Sequence, residues 1–275
     1  MLLSFGWFLL LRYSTWFLPL GYMNWLSPLF VFLLSTSVAA LKMKNMAPLY
    51  TPKTENQCLY TESLDNTDKT MTVVVGPAGC GKTLLACVHA IMALKRGEIR
   101  KIVLTRPLVS VEEEEIGFLP GNLVTKMDPW TKPMFDIFQE FYSVGDLNNL
   151  VKQGIIEVAP LAFMRGRTFH RAFVLADEMQ NASPAQLMML TTRMGLESKL
   201  VVTGDLNQSD RYENNGLRDF LTRFDDYRFT YGDKKAFKHI DVIEMHNGDI
   251  CRSPFVSCIL DILGGNPGSP LPPTI

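Results

Sequence analysis

Gly76-Pro77-Ala78-Gly79-Cys80-Gly81-Lys82-Thr83 matches the pattern G-x-x-x-x-G-K-[ST] in full. Directly before it, Thr72-Val73-Val74-Val75 is a β-branched run that reads as a buried strand. Directly after it, Thr83 to Lys95 reads as a helix that stops before Gly97. Glycines permit backbone angles that aim several N–H groups into one concavity. The N-terminus of the next helix adds partial positive charge there. Strand, loop and helix in this order predict a cradle for nucleotide phosphates. Lys82 is expected to reach the β- and γ-phosphates and Thr83 to hold Mg2+, with Gly76, Pro77, Ala78, Gly79, Cys80 and Gly81 forming the wall. The competing reading is a glycine-rich turn that binds nothing, which the flanking strand and helix disfavour.

A phosphate loop needs an acidic partner across the sheet. Phe173-Val174-Leu175-Ala176-Asp177-Glu178 supplies it: an apolar strand delivers two carboxylates at its carboxyl end, where ligands sit in open α/β sheets. Asp177 is expected to bind Mg2+, directly or through water. Glu178 is expected to orient or deprotonate the attacking water. An isolated Asp-Glu pair is ordinarily a solvated face; the loop upstream changes that weighting. The end of the next strand, Thr203-Gly204-Asp205-Leu206-Asn207-Gln208, places polar groups between the first two sites. There Gln208 is a candidate for positioning water and Asp205 for the metal shell, against a plain strand-ending turn.

The remaining strands are read at Lys101 to Thr105, Ile155 to Ala159, Ala172 to Ala176, Leu200 to Thr203 and Ile240 to Met245. Helical stretches between them predict an α/β fold with a parallel sheet and helices on its faces. The segment through Gly117, Pro120, Gly121 and Pro133 reads as loop-rich, and Met46 to Thr70 as polar and turn-rich. With 27 basic and 28 acidic residues the net charge is −1. Nucleic-acid binding would therefore need a local patch, since there is no bulk basic field. Five cysteines with no CxxC pair, and four scattered histidines, argue against a disulfide framework or zinc site. Reduced cysteines fit an intracellular, cytoplasmic protein.

Residues 1–42 form an apolar segment set apart from the rest. Tyr13 to Leu41 is a run of 29 residues without charge, longer than the roughly 20 a bilayer span needs. A membrane anchor is one reading; Lys42 and Lys44 would then keep the following domain on the cytoplasmic side. A targeting peptide ending near Ser37-Val38-Ala39-Ala40 is another. A third is an upstream translated region, with initiation at Met43 or Met46. The ATPase-like domain is expected over residues 43–263, and the Gly/Pro-rich residues 264–275 as a disordered tail.

Taken together, these residues resemble the PhoH family of ATPases, whose core is similar to the motor core of superfamily-one helicases. The resemblance runs from about Pro52 to Leu263. It is carried further by Leu104-Thr105-Arg106-Pro107, Gly117-Phe118-Leu119-Pro120-Gly121, Met127-Asp128-Pro129, Phe163-Met164-Arg165-Gly166-Arg167-Thr168-Phe169 and Asp177-Glu178-Met179-Gln180-Asn181, where the family usually has Ala in place of Met179. The resemblance implies a RecA-like, P-loop NTPase sheet, ATP and Mg2+ as ligands, and an upstream motif at Thr54-Glu55-Asn56-Gln57 whose Gln57 reads adenine. It also makes Arg165, Arg167 and Arg252 candidates for phosphate contacts, within the chain or from a neighbour, Arg252 being the leading one. Asp249-Ile250-Cys251-Arg252-Ser253-Pro254 departs from the family's Asp-Val-Val-Arg-His-Pro. An added PIN-type nuclease domain is not expected beside this core.

The leading expectation is an ATPase coupled to the remodelling of RNA or another macromolecule. It would work as a homo-oligomeric ring, a hexamer being one option, because a lone core has half of a helicase cleft. A slow nucleotide-dependent switch or membrane-attached scaffold is the alternative. A small-molecule kinase fits poorly, because Glu178 invites water.

Overall fold

The computed structural model describes residues 50–107, 123–209, 214–232 and 238–251, with backbone alone over 123–130. The elements below lie in the unit that begins at Pro52. The apolar segment, its boundary at residue 42, the loop around Gly117, Arg252 and the tail all lie outside the described residues.

Six strands carry the fold: β1 Met71–Val75, β2 Lys101–Thr105, β3 Ile156–Val158, β4 Ala172–Ala176, β5 Lys199–Gly204 and β6 Ile240–Glu244. They form one sheet in the order β3-β2-β4-β5-β1-β6, and every pairing is parallel. The strand leading into the glycine loop, β1, and the strand leading into Asp177, β4, are both neighbours of β5. All carboxyl ends therefore open on one edge, and three loops meet there.

The helices are α1 Glu55–Asp65, α2 Lys82–Arg96, α3 Leu123–Phe141, α4 Val144–Lys152, α5 Pro184–Thr191 and α6 Gly216–Tyr231. Strand alternation sorts the core into two layers. On one face Val74, Ile102, Leu104, Phe173, Leu175 and Val201 pack with residues of α1 to α4. On the other, Val73, Val103, Val174 and Val202 pack with Leu187 and Leu190 of α5 and Leu217 of α6. The expected parallel sheet with helices on both faces is thus observed.

Two stretches expected as loop or turn are helical. Residues 55–65 form α1, capped by Thr54, whose hydroxyl accepts from the Gln57 N–H; Gln57, Tyr60, Ser63 and Leu64 turn inward. Pro133 lies within α3, where a proline removes a helical hydrogen bond and ordinarily costs about 3 kcal/mol. Burial of Thr131, Met134 and Phe138 at helical spacing offsets that, with Phe138 fully buried. The loop-rich reading at Pro133 is overridden by this tertiary packing.

The sheet edge opposite the glycine loop is held by a lysine and a histidine. The Lys199 ammonium donates to the carbonyls of Ser63, Leu64 at 2.7 Å and Asn66 at 3.0 Å, satisfying the orphan end of α1. On α2, burial pushes the His89 imidazole down to about 4, against the Asp65 carboxylate that raises it. His89 Nδ1 lies 3.1 Å from Asp65 Oδ1, and its ring sits 5.7 Å from that of Phe173. Among the described residues, no helix is long and apolar enough to cross a membrane.

Candidate active site

The glycine loop leaves β1 at Gly76, whose φ is 153°. A Cβ there would stand 2.5 Å from the Met245 carbonyl oxygen, so the adjoining chain after β6 demands glycine. At Gly81, φ of 88° turns the chain into α2. Behind the loop, Cys80 is fully buried and its thiol donates to the Pro77 carbonyl at 3.0 Å. Burial pushes that thiol up despite the neighbouring Lys82, so Cys80 is a filler of the loop and not a poised thiolate.

In front of the loop is a cavity of about 420 Å³, within the size range of small-ligand sites. Gly79, Gly81, Lys82 and Thr83 line it on one side, Asp177, Glu178 and Gln208 on another. The Lys82 ammonium donates to the loop's own carbonyls, Gly76 O at 2.7 Å and Pro77 O at 2.8 Å. Phosphate oxygens would compete for the same three N–H donors.

Thr83 Oγ1 donates to Asp177 Oδ1 at 2.9 Å, and Thr203 Oγ1 donates to the same oxygen. Two hydroxyls and a carboxylate from three elements thus meet at one point. That donor set fits Mg2+, a hard cation that takes few protein oxygens and completes its shell with water and phosphate. Among the described residues there is no cluster of three or more His, Cys, Asp or Glu able to hold a metal by themselves. Glu178 has φ 55° and ψ 38°, the left-handed region rarely used by a residue with a side chain. The turn sends Met179, fully buried, into the core and leaves Asp177 and Glu178 lining the cavity.

Asp205 lines the cavity as well, with one carboxylate oxygen engaged by the backbone. Its Oδ1 accepts the Asn207 N–H at 3.0 Å and caps the turn Leu206–Gln208, which brings Gln208 to the cavity. Gln57 is 4% exposed and does not line the cavity. Its Nε2 donates to Cys80 O and Asp249 O, both at 3.1 Å, and its Oε1 accepts the Lys53 N–H at 2.8 Å. The adenine-reading role expected of it therefore meets an amide already committed to holding the loop. Arg165 is exposed, and Arg167 is gripped by Glu157 at 2.6 and 2.9 Å; neither lines the cavity. Arg167 and Lys101 together hold the Glu157 carboxyl at about 2, so Arg167 serves the β3 edge. Among the polar side chains of the cavity, two have no individual assignment from sequence: Arg106, just past β2, and Thr203, near the end of β5. Their place at carboxyl strand ends was the available signal.

A parallel sheet with a phosphate loop after one strand and an acidic pair after another defines the P-loop NTPase class, a nucleotide-binding fold. Residues 50–264 match the model of the PhoH-like protein family, and the chain belongs to that family. It is 41% identical over 209 residues to a PhoH-like protein of Bacillus subtilis, covering 76% of this chain and 62% of that one. It is 42% identical over 211 residues to a PhoH-like protein of Synechocystis, covering 76% and 60%. The chain thus spans about three fifths of the length of these relatives. A Sulfolobus solfataricus SWI2/SNF2 ATPase core aligns at TM-score 0.41 and 11% identity, over 80% of this chain and 55% of that one; the fold assignment rests on the sheet itself.

Proposed function

We propose that this chain binds ATP with Mg2+ and hydrolyses it, driving the remodelling of RNA or another macromolecule as a homo-oligomer. The observation that supports this most is the convergence of Lys82, Thr83, Asp177, Glu178 and Gln208 on one cavity, with Thr83 and Asp177 joined at 2.9 Å. Thr83 and Asp177 would hold Mg2+, which when bound offsets phosphate charge. Lys82 leaves the loop carbonyls for the β- and γ-phosphates. Glu178 accepts a proton from the attacking water, and Gln208 orients that water from the adjacent turn. Arg252, outside the described residues, is proposed to reach the γ-phosphate of a neighbouring subunit.

Two variants test the assignment. Lys82→Ala is expected to lose tight nucleotide binding, because the cation facing the phosphates is gone. Glu178→Gln is expected to keep ATP bound while turnover falls by roughly 10²-fold or more, since only proton acceptance is removed. Isothermal titration and steady-state phosphate release, with and without added RNA, read both. Normal hydrolysis by Lys82→Ala would overturn the mechanism. Turnover indifferent to every RNA tried would remove RNA as the coupled partner.

A further inference from the structure

Gln180 stands two residues past Glu178, in the turn Met179–Asn181, and is 1% exposed. It does not line the cavity. Its amide makes two bonds of opposite polarity: Nε2 donates to Glu178 Oε2, and Oε1 accepts the backbone N–H of Asp205 at 3.1 Å. The orientation is chemically forced, because an ionised carboxylate only accepts and a backbone N–H only donates. Its main-chain carbonyl also accepts the Ser209 hydroxyl at 3.0 Å, beyond the turn that carries Gln208. Gly204 leaves room for this bridge: a Cβ there would lie 2.4 Å from Leu217 Cδ2 and 3.0 Å from Gln180 Oε1.

We propose that Gln180 is a positioning residue that aims the Glu178 carboxylate and ties it to the Asp205–Gln208 turn. This rests on the hydrolysis reading above and assigns its coupling. Free rotation of a glutamate side chain would spread its carboxylate over several rotamers; a buried donor on one oxygen selects one. The other end of the same amide grips the strand end from which Gln208 projects. A shift of that turn, as the γ-phosphate arrives or departs, moves Asp205 N, then Gln180, then Glu178. A side chain with a single polarity cannot make both bonds at once.

The test is a double-mutant cycle in the 275-residue chain with MgATP. Gln180→Met keeps the length and removes both bonds. It is expected to lower kcat by roughly 10-fold or more, with the ATP dissociation constant changed less than about 3-fold. In a Glu178→Gln background the same substitution is expected to cost less than about 2-fold further, because a residue acting through Glu178 has nothing left to aim. Gln180→Leu, a second apolar replacement that removes both bonds, guards against a Met variant that fails to fold and is expected to lower kcat in the same way with ATP binding kept. Unchanged kcat in either folded variant, a fully additive loss in the cycle, or ATP binding lost in step with kcat overturns the proposal. A wild-type chain that binds ATP without turning it over removes the hydrolysis reading itself, and the Gln180 role with it; that outcome shows in the wild type and not in the variants.

Discussion

Gln57 shows how little a residue's motif says about where its side chain ends up. The resemblance assigns its amide to a base, yet both Nε2 donors are spent on Cys80 O and Asp249 O. Tyr60, one turn along α1, adds a hydroxyl bond to Lys82 O at 3.1 Å. Helix α1 is therefore a prop under the phosphate loop. Gln57→Ala leaves buried carbonyls unpaired, at a cost of about 1–3 kcal/mol. It is expected to weaken ATP and GTP binding together, leaving their ratio within about 3-fold. Competition binding with both nucleotides checks this. A selective loss of ATP would show that the amide turns to the base when a nucleotide is present. By contrast Lys82, Thr83, Asp177, Glu178 and Gln208 are legible as candidates in the sequence: the first two by the glycine spacing of the loop after β1, the others by the segments that leave β4 and β5.

At the level of elements, α2 carries the loop's helix dipole at its start and a half-buried histidine, His89, at its middle. The folded imidazole of His89 titrates near 4, below the unfolded value of about 6.5. As pH falls, the unfolded chain takes up the proton first. The contribution is fully present above about pH 6.5 and is lost progressively as pH falls toward 4. Between about pH 7.5 and about pH 5 the linkage amounts to about 2 kcal/mol. Urea unfolding across that range is expected to show a steeper loss for the wild type than for His89→Gln, in which no imidazole titrates. Parallel slopes for the two proteins would show that His89 is not the titrating group. The helices α1 and α3 were the elements missed from sequence. Polar residues dominate the first and prolines interrupt the second, and each is stabilised by the face it buries against the sheet.

For the whole molecule, the open carboxyl edge of the sheet brings Arg106 to the cavity, while Arg165 and Arg167, among the described residues, do not line it. The trans contribution proposed for Arg252 is testable by mixing. Arg252→Ala is expected to lower turnover on the order of 10³-fold with ATP affinity kept. Addition of Lys82→Ala protein, inactive but with its own Arg252, is expected to restore part of that activity. Light scattering on protein lacking residues 1–42 should show a discrete oligomer. A strictly monomeric protein with full turnover would end this reading.

The sequence by itself determined the order of strands along the chain, the parallel α/β class and the nucleotide cradle. Those follow from local patterns: β-branched runs, glycine spacing, and carboxylates placed directly after apolar strands. Strand order across the sheet was decided only in three dimensions, and with it the meeting of Thr83, Thr203 and Asp177, residues separated by as many as 120 positions. So was the inward turn of Gln57, the gripping of Arg167 by Glu157, and the bridge from Glu178 through Gln180 to Asp205. A hydrogen bond between distant segments depends on which strands lie side by side, and no local pattern carries that information.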